Sequence, residues 1–152
     1  ATYKTFTRID GWTMKYPGDW TADDSNYATS GLVSFAAPTA GGTLRPNFGV
    51  TKTKTSFTAD MVDYADLQGT IKTIIESSGG ANVTTKVVSL PAGDAVRGDA
   101  DLTKPGLSLK INQVQMYRDN VGFVLNFMSA SDDYDTYKAD AELMFQGFQP
   151  GI

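Results

Sequence analysis

The acidic residues are the first candidates for chemistry, because carboxylates bind cations and transfer protons. Asp132, Asp133 and Asp135 are nearly adjacent in the sequence, and carboxylate oxygens are typical ligands of Ca²⁺ and Mn²⁺. The spacing does not match a known calcium-binding loop. Acidic residues at the start of a helix are also explained by capping and by the helix dipole. We favour the helix-start interpretation and keep a metal site as the alternative.

A second acidic pair, Asp99 and Asp101, shares one face of a strand if that strand is regular. Paired carboxylates serve as general acid and base in glycosidases. Such a site also needs a cleft and aromatic residues that position the substrate, whereas this stretch is short and close to a turn. We therefore favour a solvated strand face over a hydrolase site.

Three aromatic residues near the start of the chain, Trp12, Tyr16 and Trp20, are the candidate ligand-binding or partner-binding side chains. They would line an aromatic groove for a peptide, a sugar or a pigment. Aromatic side chains also supply large buried area to a protein core. We favour packing and keep the groove as the alternative.

The composition excludes several classes of function. The chain contains no cysteine and no histidine, which excludes a thiolate nucleophile, a zinc site with Cys or His ligands, and an imidazole base. Its net charge is −4 with scattered lysines, so no basic stripe for nucleic acid is visible. No apolar run approaches the roughly 18 residues of a membrane span. We expect a protein that is not an enzyme and needs no cofactor.

The strongest structural pattern lies in residues 107–129, which predict two strands joined by a tight turn at Asp119-Asn120. The apolar alternation of the first strand slips by one position near Asn112-Gln113, which predicts a β-bulge there. The second strand is apolar on both faces. We expect it in the middle of a sheet and covered on both sides.

Two helices are predicted around this hairpin. The first is expected to begin at Thr58 and to end at Gly79-Gly80, with Gly69 placed where the helix lies close to the sheet. The second is expected to begin at Ser131 or Asp132, with an apolar face toward the sheet. That face comprises Tyr134, Tyr137, Ala141, Met144, Phe145 and Phe148.

The remaining segments predict shorter strands and loops. Residues 21–30 and 39–45 are predicted as exposed loops. Residues 48–54, with a Lys/Thr row at 51–55, are predicted as a solvated or edge strand. Strand pairs are joined by connections of hairpin length throughout. We therefore predict an α+β fold in one domain over residues 1–152: a mostly antiparallel sheet flanked by two main helices in an α/β/α sandwich.

Residues 6–20 carry a pattern that resembles a known family. They read FTRIDGWTMKYPGDW: a strand, the pair Gly11-Trp12, an alternating strand ending at Tyr16-Pro17, and then Trp20. This arrangement resembles the start of the PsbP-like family, which includes many exported bacterial lipoproteins. The rest of the chain fits in order, with a strand at 47–50, a mid-chain helix, a hairpin strand at 122–127 and a Tyr-rich helix ending at Phe145 and Phe148.

The resemblance implies an antiparallel sheet between helices, export or attachment to the cell envelope, and no catalytic residue set. Because the chain begins at Ala1, we expect processing or trimming. The resemblance implies a location that is extracellular, periplasmic or envelope-attached. Any membrane contact would be through a lipid anchor outside this chain. We expect a monomeric, non-catalytic accessory module that binds another protein through its loops and sheet surface. A small-ligand or divalent-metal binding protein is the alternative.

Overall fold

The computed structural model describes residues 2–8, 11–38 and 44–151. In chain order the strands are β1 (Tyr3–Thr7), β2 (Thr13–Pro17), β3 (Thr21–Asp23), β4 (Leu32–Ala36), β5 (Asn47–Lys54), β6 (Gly80–Leu90), β7 (Gly93–Lys104), β8 (Leu107–Arg118) and β9 (Val121–Ala130). The helices are α1 (Tyr27–Ser30), α2 (Tyr64–Ser77) and α3 (Tyr134–Gly147), with 3₁₀ turns at Ala59–Met61 and Ser131–Asp133.

The main sheet is antiparallel, with seven strands in the order β3-β4-β5-β9-β8-β7-β6, and β1 and β2 form a separate two-stranded sheet. The predicted α+β class is confirmed. The predicted hairpin, β8–β9, lies in the interior of the sheet. Its turn is the predicted one, because Arg118 pairs with Val121 and Asn120 adopts a positive φ of 62°.

The predicted β-bulge near Asn112-Gln113 is wrong. The β8–β9 register runs without interruption from Leu109 to Arg118, and the β7–β8 register is equally regular. The apolar alternation slips because the buried face of the strand changes. Leu109 is buried on the side of the sheet that carries α2, whereas Val114 and Met116 are buried on the opposite side.

The buried face of β8 changes along the strand because two hydrophobic clusters lie on opposite faces of the sheet. The smaller cluster lies under α2, where Ile71 and Ile75 pack on Val96 and Ala100. The larger one lies under α3 and the β1–β2 hairpin. It includes the fully buried side chains Trp12, Met14, Phe35, Phe48, Phe123, Leu125, Phe127, Met144, Phe145 and Phe148.

Helix α2 is narrower in its coverage than predicted. It packs on β6 and β7, so the prediction that both faces of the β8–β9 hairpin are covered is wrong. Val124, Asn126 and Met128 of β9, on the α2 side, remain half-exposed. The α2 side of the sheet is therefore covered at the β6–β7 end and open at the β4–β5 end.

The helix boundaries differ from the predicted ones. Helix α2 begins after Asp63, whose carboxylate accepts hydrogen bonds from the Ala65 and Asp66 amides, and Thr58 precedes a separate 3₁₀ turn. Ser131 and Asp132 likewise lie in a 3₁₀ turn before α3. The predicted apolar face of α3 is confirmed, since it is buried or half-buried along its length.

Three other predictions are corrected or fall outside the described residues. Segment 21–30 contains β3 and α1 as well as exposed turns. The Lys/Thr row lies on β5, which is an interior strand between β4 and β9 and not an edge. Of the predicted loop 39–45, residues 39–43 lie outside the described part, and Arg45 donates a hydrogen bond to the Pro38 carbonyl at 3.1 Å.

The glycine at the helix–sheet contact is Gly98, not Gly69. A Cβ on Gly69 would meet nothing within 4 Å, whereas one on Gly98 would lie 3.0 Å from Ile75 Cδ1 and 3.3 Å from Ile71 Cγ2. Gly69→Ala is expected to raise the free energy of unfolding by about 1 kcal/mol through helix propensity. Gly98→Ala is expected to lower it by about 1–2 kcal/mol through overpacking. Urea denaturation of both variants checks this, and a neutral Gly98→Ala would contradict it.

Candidate functional site

The uncovered part of the sheet is the most extensive candidate surface. We call it the open sheet face. It consists of the side chains of β4, β5, β9 and β8 that point to the α2 side, and nearly all are partly exposed. Pairing register places them in one layer: Leu32, Ser34, Ala36, Asn47, Gly49, Thr51, Thr53, Ile111, Gln113, Gln115, Tyr117, Gly122, Val124, Asn126 and Met128.

No residue of the open sheet face is charged, and the first charge in the same layer is Asp23 of the edge strand β3, which pairs with Ser34. Charged residues make up 20% of the chain, so a solvated surface of this extent would be expected to contain several. Depletion of charge at the centre of a surface patch, together with exposed apolar groups, is typical of protein interfaces. The open sheet face has the composition of a contact surface.

The amide side chains on this face are held in place by one another. The Tyr117 hydroxyl donates to Gln115 Oε1 at 3.1 Å, Gln115 Nε2 donates to Gln113 Oε1 at 2.9 Å, and Gln113 Nε2 lies 3.4 Å from Asn126 Oδ1. Because each amide is oriented before any contact is made, less side-chain entropy is lost on binding. The row presents fixed donors and acceptors among apolar side chains.

A groove continues the open sheet face toward the start of α2. We call it the Phe57 groove. It has a volume of about 410 Å³, and its apolar lining comprises Phe57, Met61, Val62, Leu67 and Tyr117.

The floor of the groove is fixed by contacts from both sides. The Phe57 and Tyr117 rings pack with centroids 5.4 Å apart. The Tyr64 hydroxyl accepts from the Tyr117 backbone amide at 3.3 Å. Burial and the nearby Tyr64 raise the pKa of the Tyr117 phenol, so its hydroxyl stays protonated and able to donate.

A smaller polar cavity of about 250 Å³ lies on the opposite face of the sheet, lined by side chains that include Asn82, Asp99, Asp101, Lys110 and Tyr134. Asn112 lies beneath it and is only 3% exposed. Its amide nitrogen donates to Asp99 Oδ1 at 2.7 Å, and its oxygen accepts from the Tyr134 hydroxyl at 2.9 Å.

The structure brings Asp99 and Asp101 onto one face, as the alternation predicted, but each carboxylate has its own partners. Arg97 lies 3.0 Å from Asp99 and 2.6 Å from Glu142. Lys110 lies 2.6 Å from Asp101. The hydrogen bonds from Lys110 and Asn82 lower the pKa of Asp101. A general acid needs the opposite shift, so the arrangement favours the solvated-strand interpretation over a hydrolase site.

Lys110→Met is expected to raise the pKa of Asp101 toward its ordinary value, because the largest cause of the lowering is removed. Since the pKa is lowered by folding, the pair stabilises the fold above the ordinary pKa and loses this effect as the pH falls through the lowered one. A ¹³C NMR titration of the carboxyl measures the shift. Lys72→Met is the matched control, and equal titration curves in both variants would contradict the assignment.

The aromatic candidates lie in the core. Trp12 has no exposed surface and Trp20 is 4% exposed. Trp12 packs against Phe148 with ring centroids 5.8 Å apart, and the half-buried Tyr16 packs on Phe35 at 5.0 Å. The three side chains stabilise the packing under the β1–β2 hairpin, and their burial supports the packing interpretation.

Asp132, Asp133 and Asp135 lie around the start of α3. Asp132 and Asp133 belong to the 3₁₀ turn, and Asp135 lies in the first helical turn, 3.1 Å from Lys138. Within residues 2–8, 11–38 and 44–151, no group of three acidic side chains converges as a metal site requires. Their position fits the dipole part of the helix-start interpretation, whereas the Asp133 side chain makes no capping hydrogen bond at the start of α3.

The residues of the open sheet face were not predicted from the sequence patterns. Gln113, Gln115 and Asn126 are the signal that was available, because they alternate within strands that otherwise are rich in apolar residues. Polar residues on one face of such strands mark the face that no helix covers.

No model of a known protein family and no curated protein sequence matches this chain. Solved structures do match. The LpqN protein of Mycobacterium tuberculosis, described as involved in cell envelope biogenesis, has a TM-score of 0.67 at 14% identity over 97% of this chain and 90% of that one. The cyanobacterial PsbP of Synechocystis has a TM-score of 0.62 at 17% identity over 98% and 92%.

A protein from Bacteroides thetaiotaomicron has a TM-score of 0.61 at 16% identity, and the match covers 96% of this chain but only 47% of that one. This chain thus spans about half the length of that protein. At such identities the similarity establishes the fold alone. The fold is PsbP-like, as the resemblance predicted.

Proposed function

We propose that this chain, with its PsbP-like fold, is a non-catalytic accessory module that binds another protein through the open sheet face. The observation that carries the proposal is the lack of charged side chains on the partly exposed face of the four strands β4, β5, β9 and β8. Leaving such a face in water gains nothing for folding, whereas burying it against a partner removes apolar surface from water. The oriented amide row supplies specificity.

A location at the cell envelope is part of the proposal. The LpqN protein, which shares the fold, is described as involved in cell envelope biogenesis. No helix in the described part of the chain combines the length and apolar character needed to cross a membrane. We propose that the chain is exported and meets its partner outside the cytoplasm.

A charge placed on the open sheet face tests the proposal. Gln115→Lys is expected to weaken capture of the partner from the envelope fraction of the source organism by about tenfold or more, because the new ammonium is desolvated in the interface. Gln146→Lys makes the same change on the exposed surface of α3 and is expected to capture as well as the wild type.

Equal capture by both lysine variants would overturn the assignment of this face. Turnover of a substrate that is abolished by mutation of one acidic residue would overturn the non-catalytic role. The comparison requires that the two variants have the same thermal stability, so that a loss of binding is distinguished from a loss of folding.

Binding of a small ligand is the second candidate, and the polar cavity between Asn82 and Tyr134 is the observation that favours it. Such a ligand would hydrogen-bond Lys110 or Asp99 at the cavity rim. A thermal-shift panel of sugars, amino acids and the divalent cations Ca²⁺, Mn²⁺ and Zn²⁺ tests it. A shift that Lys110→Met removes would support this function, and no shift at millimolar concentration would end it.

A further inference from the structure

The Phe57 groove contains the most exposed large apolar side chain among the described residues. Met61 is 71% exposed, in the 3₁₀ turn that precedes α2. Met61 lines a groove of about 410 Å³ together with Phe57, Leu67 and Tyr117. Methionine adapts to irregular apolar surfaces and contacts aromatic rings favourably. A space of this size accommodates one large apolar side chain from a partner.

The rim of this groove is acidic. Asp63 and Asp66 line it, Asp60 lies next to Met61, and the Asp119 carboxylate accepts a hydrogen bond from the Ala59 amide at 2.8 Å. All four carboxylates belong to exposed residues.

These carboxylates keep unused acceptor capacity. Asp63 and Asp119 use Oδ1 for backbone amides. Among the ion pairs of the described residues, which involve Asp24, Asp99, Asp101, Glu142 and Asp135, none includes a rim carboxylate. No cation of the described residues is therefore in ion-pair contact with the rim carboxylates, and the rim carries negative charge.

The groove and the open sheet face form one surface, because Tyr117 belongs to both. Four strands about 4.8 Å apart, with five to seven residues each along the open sheet face, give a projected area of roughly 400 Å². A stable interface buries about 800 Å² on each partner. A protein bound to the open sheet face needs additional contact area, and the groove is contiguous with it.

We propose that the Phe57 groove binds a basic segment of the partner protein, with one large apolar side chain inserted beside Met61 and flanking lysines or arginines on the rim carboxylates. The proposal rests on the proposed function and adds the chemistry of the partner. An apolar anchor provides affinity, and the charges of opposite sign orient and select the segment.

Synthetic peptides test the proposal directly. The first ten-residue peptide carries a central Phe-Leu pair flanked by lysines, the second replaces the lysines by glutamates, and the third replaces Phe-Leu by glycines. Titration into ¹⁵N-labelled protein is expected to shift the amides of residues 57–67 and Tyr117 with the first peptide. The other two peptides are expected to bind at least about tenfold more weakly than the first.

Matched variants assign the contact. Met61→Asp and Asp66→Lys are each expected to weaken binding of the first peptide by about tenfold. Added salt is expected to weaken its binding further. Ile74→Asp, at an exposed apolar position of α2, and Glu76→Lys are expected to leave binding unchanged.

Two outcomes would overturn the proposal: equal binding of all three peptides, or shifts that fall outside the groove. If capture of the natural partner is lost in Gln115→Lys but unchanged in Met61→Asp and Asp66→Lys, the groove proposal fails while the function of the open sheet face stands.

Discussion

Trp12→Ala is expected to lower the free energy of unfolding by about 3–5 kcal/mol, the cost of removing a large buried aromatic side chain. Trp12 has no exposed surface and packs among Phe6, Tyr27 and Phe148. Its indole N–H donates to the Tyr27 hydroxyl at 3.2 Å. Truncation leaves a cavity between the β1–β2 hairpin and the main sheet, and urea denaturation measures the loss.

Trp12→Phe is the matched variant. It keeps most of the ring contacts and loses the hydrogen bond, so a smaller loss of about 1–2 kcal/mol is expected. Met61→Ala, at an exposed position, is expected to change stability by less than about 0.5 kcal/mol. If Trp12→Ala unfolded at the same urea concentration as the wild type, Trp12 would be a surface residue and the groove interpretation of the aromatic residues would return.

Asn112→Asp is expected to destabilise the fold by at least about 3 kcal/mol at pH 7, because it places a carboxylate in a buried position next to another one. Asn112 is 3% exposed, and its amide nitrogen lies 2.7 Å from Asp99 Oδ1. The substitution keeps the shape of the side chain and replaces the hydrogen bond to Asp99 with repulsion between two carboxylates.

The pH dependence identifies this cause. Burial and the Asp99 charge raise the pKa of the new carboxyl in the folded state above its unfolded value of about 3.9. The folded state therefore binds more protons, so the variant approaches the wild type below about pH 4 and loses stability as the pH rises. Asn112→Leu removes the same hydrogen bonds without adding charge, and its smaller loss is expected not to grow over that pH range. Parallel pH profiles for the two variants would contradict this account.

Much of the fold was predictable from sequence because local rules decide it. The turn at Asp119-Asn120 follows from residues that tolerate positive φ, and the two strands predicted within residues 107–129 are β8 and β9. The slip in β8 was not interpretable locally. Whether a slip means a bulge or a change of buried face depends on where α2 packs, and that is a tertiary choice between two sides of the sheet.

The sequence predicted the kind of binding surface but not its position on the sheet. Loops and sheet surface were expected to bind the partner, and Gln113, Gln115 and Asn126 are visible as polar interruptions. These polar residues mark an uncovered face only because α2 does not extend beyond β7. The helix lies there because Ile71 and Ile75 pack against Gly98. The exposure of Met61 depends on the helix beginning at Asp63 rather than at Thr58, a choice made by capping hydrogen bonds.

Site-specific photo-cross-linking in the source organism tests the central claim most directly. A benzophenone amino acid at Thr51, in the open sheet face, is expected to give a discrete adduct with one protein. Introducing Gln115→Lys into the same chain is expected to remove that adduct. The same probe at Thr136, exposed on α3, is expected to give none. Identical adducts from both positions, or a Thr51 adduct that survives Gln115→Lys, would contradict the assignment of the open sheet face as the binding surface.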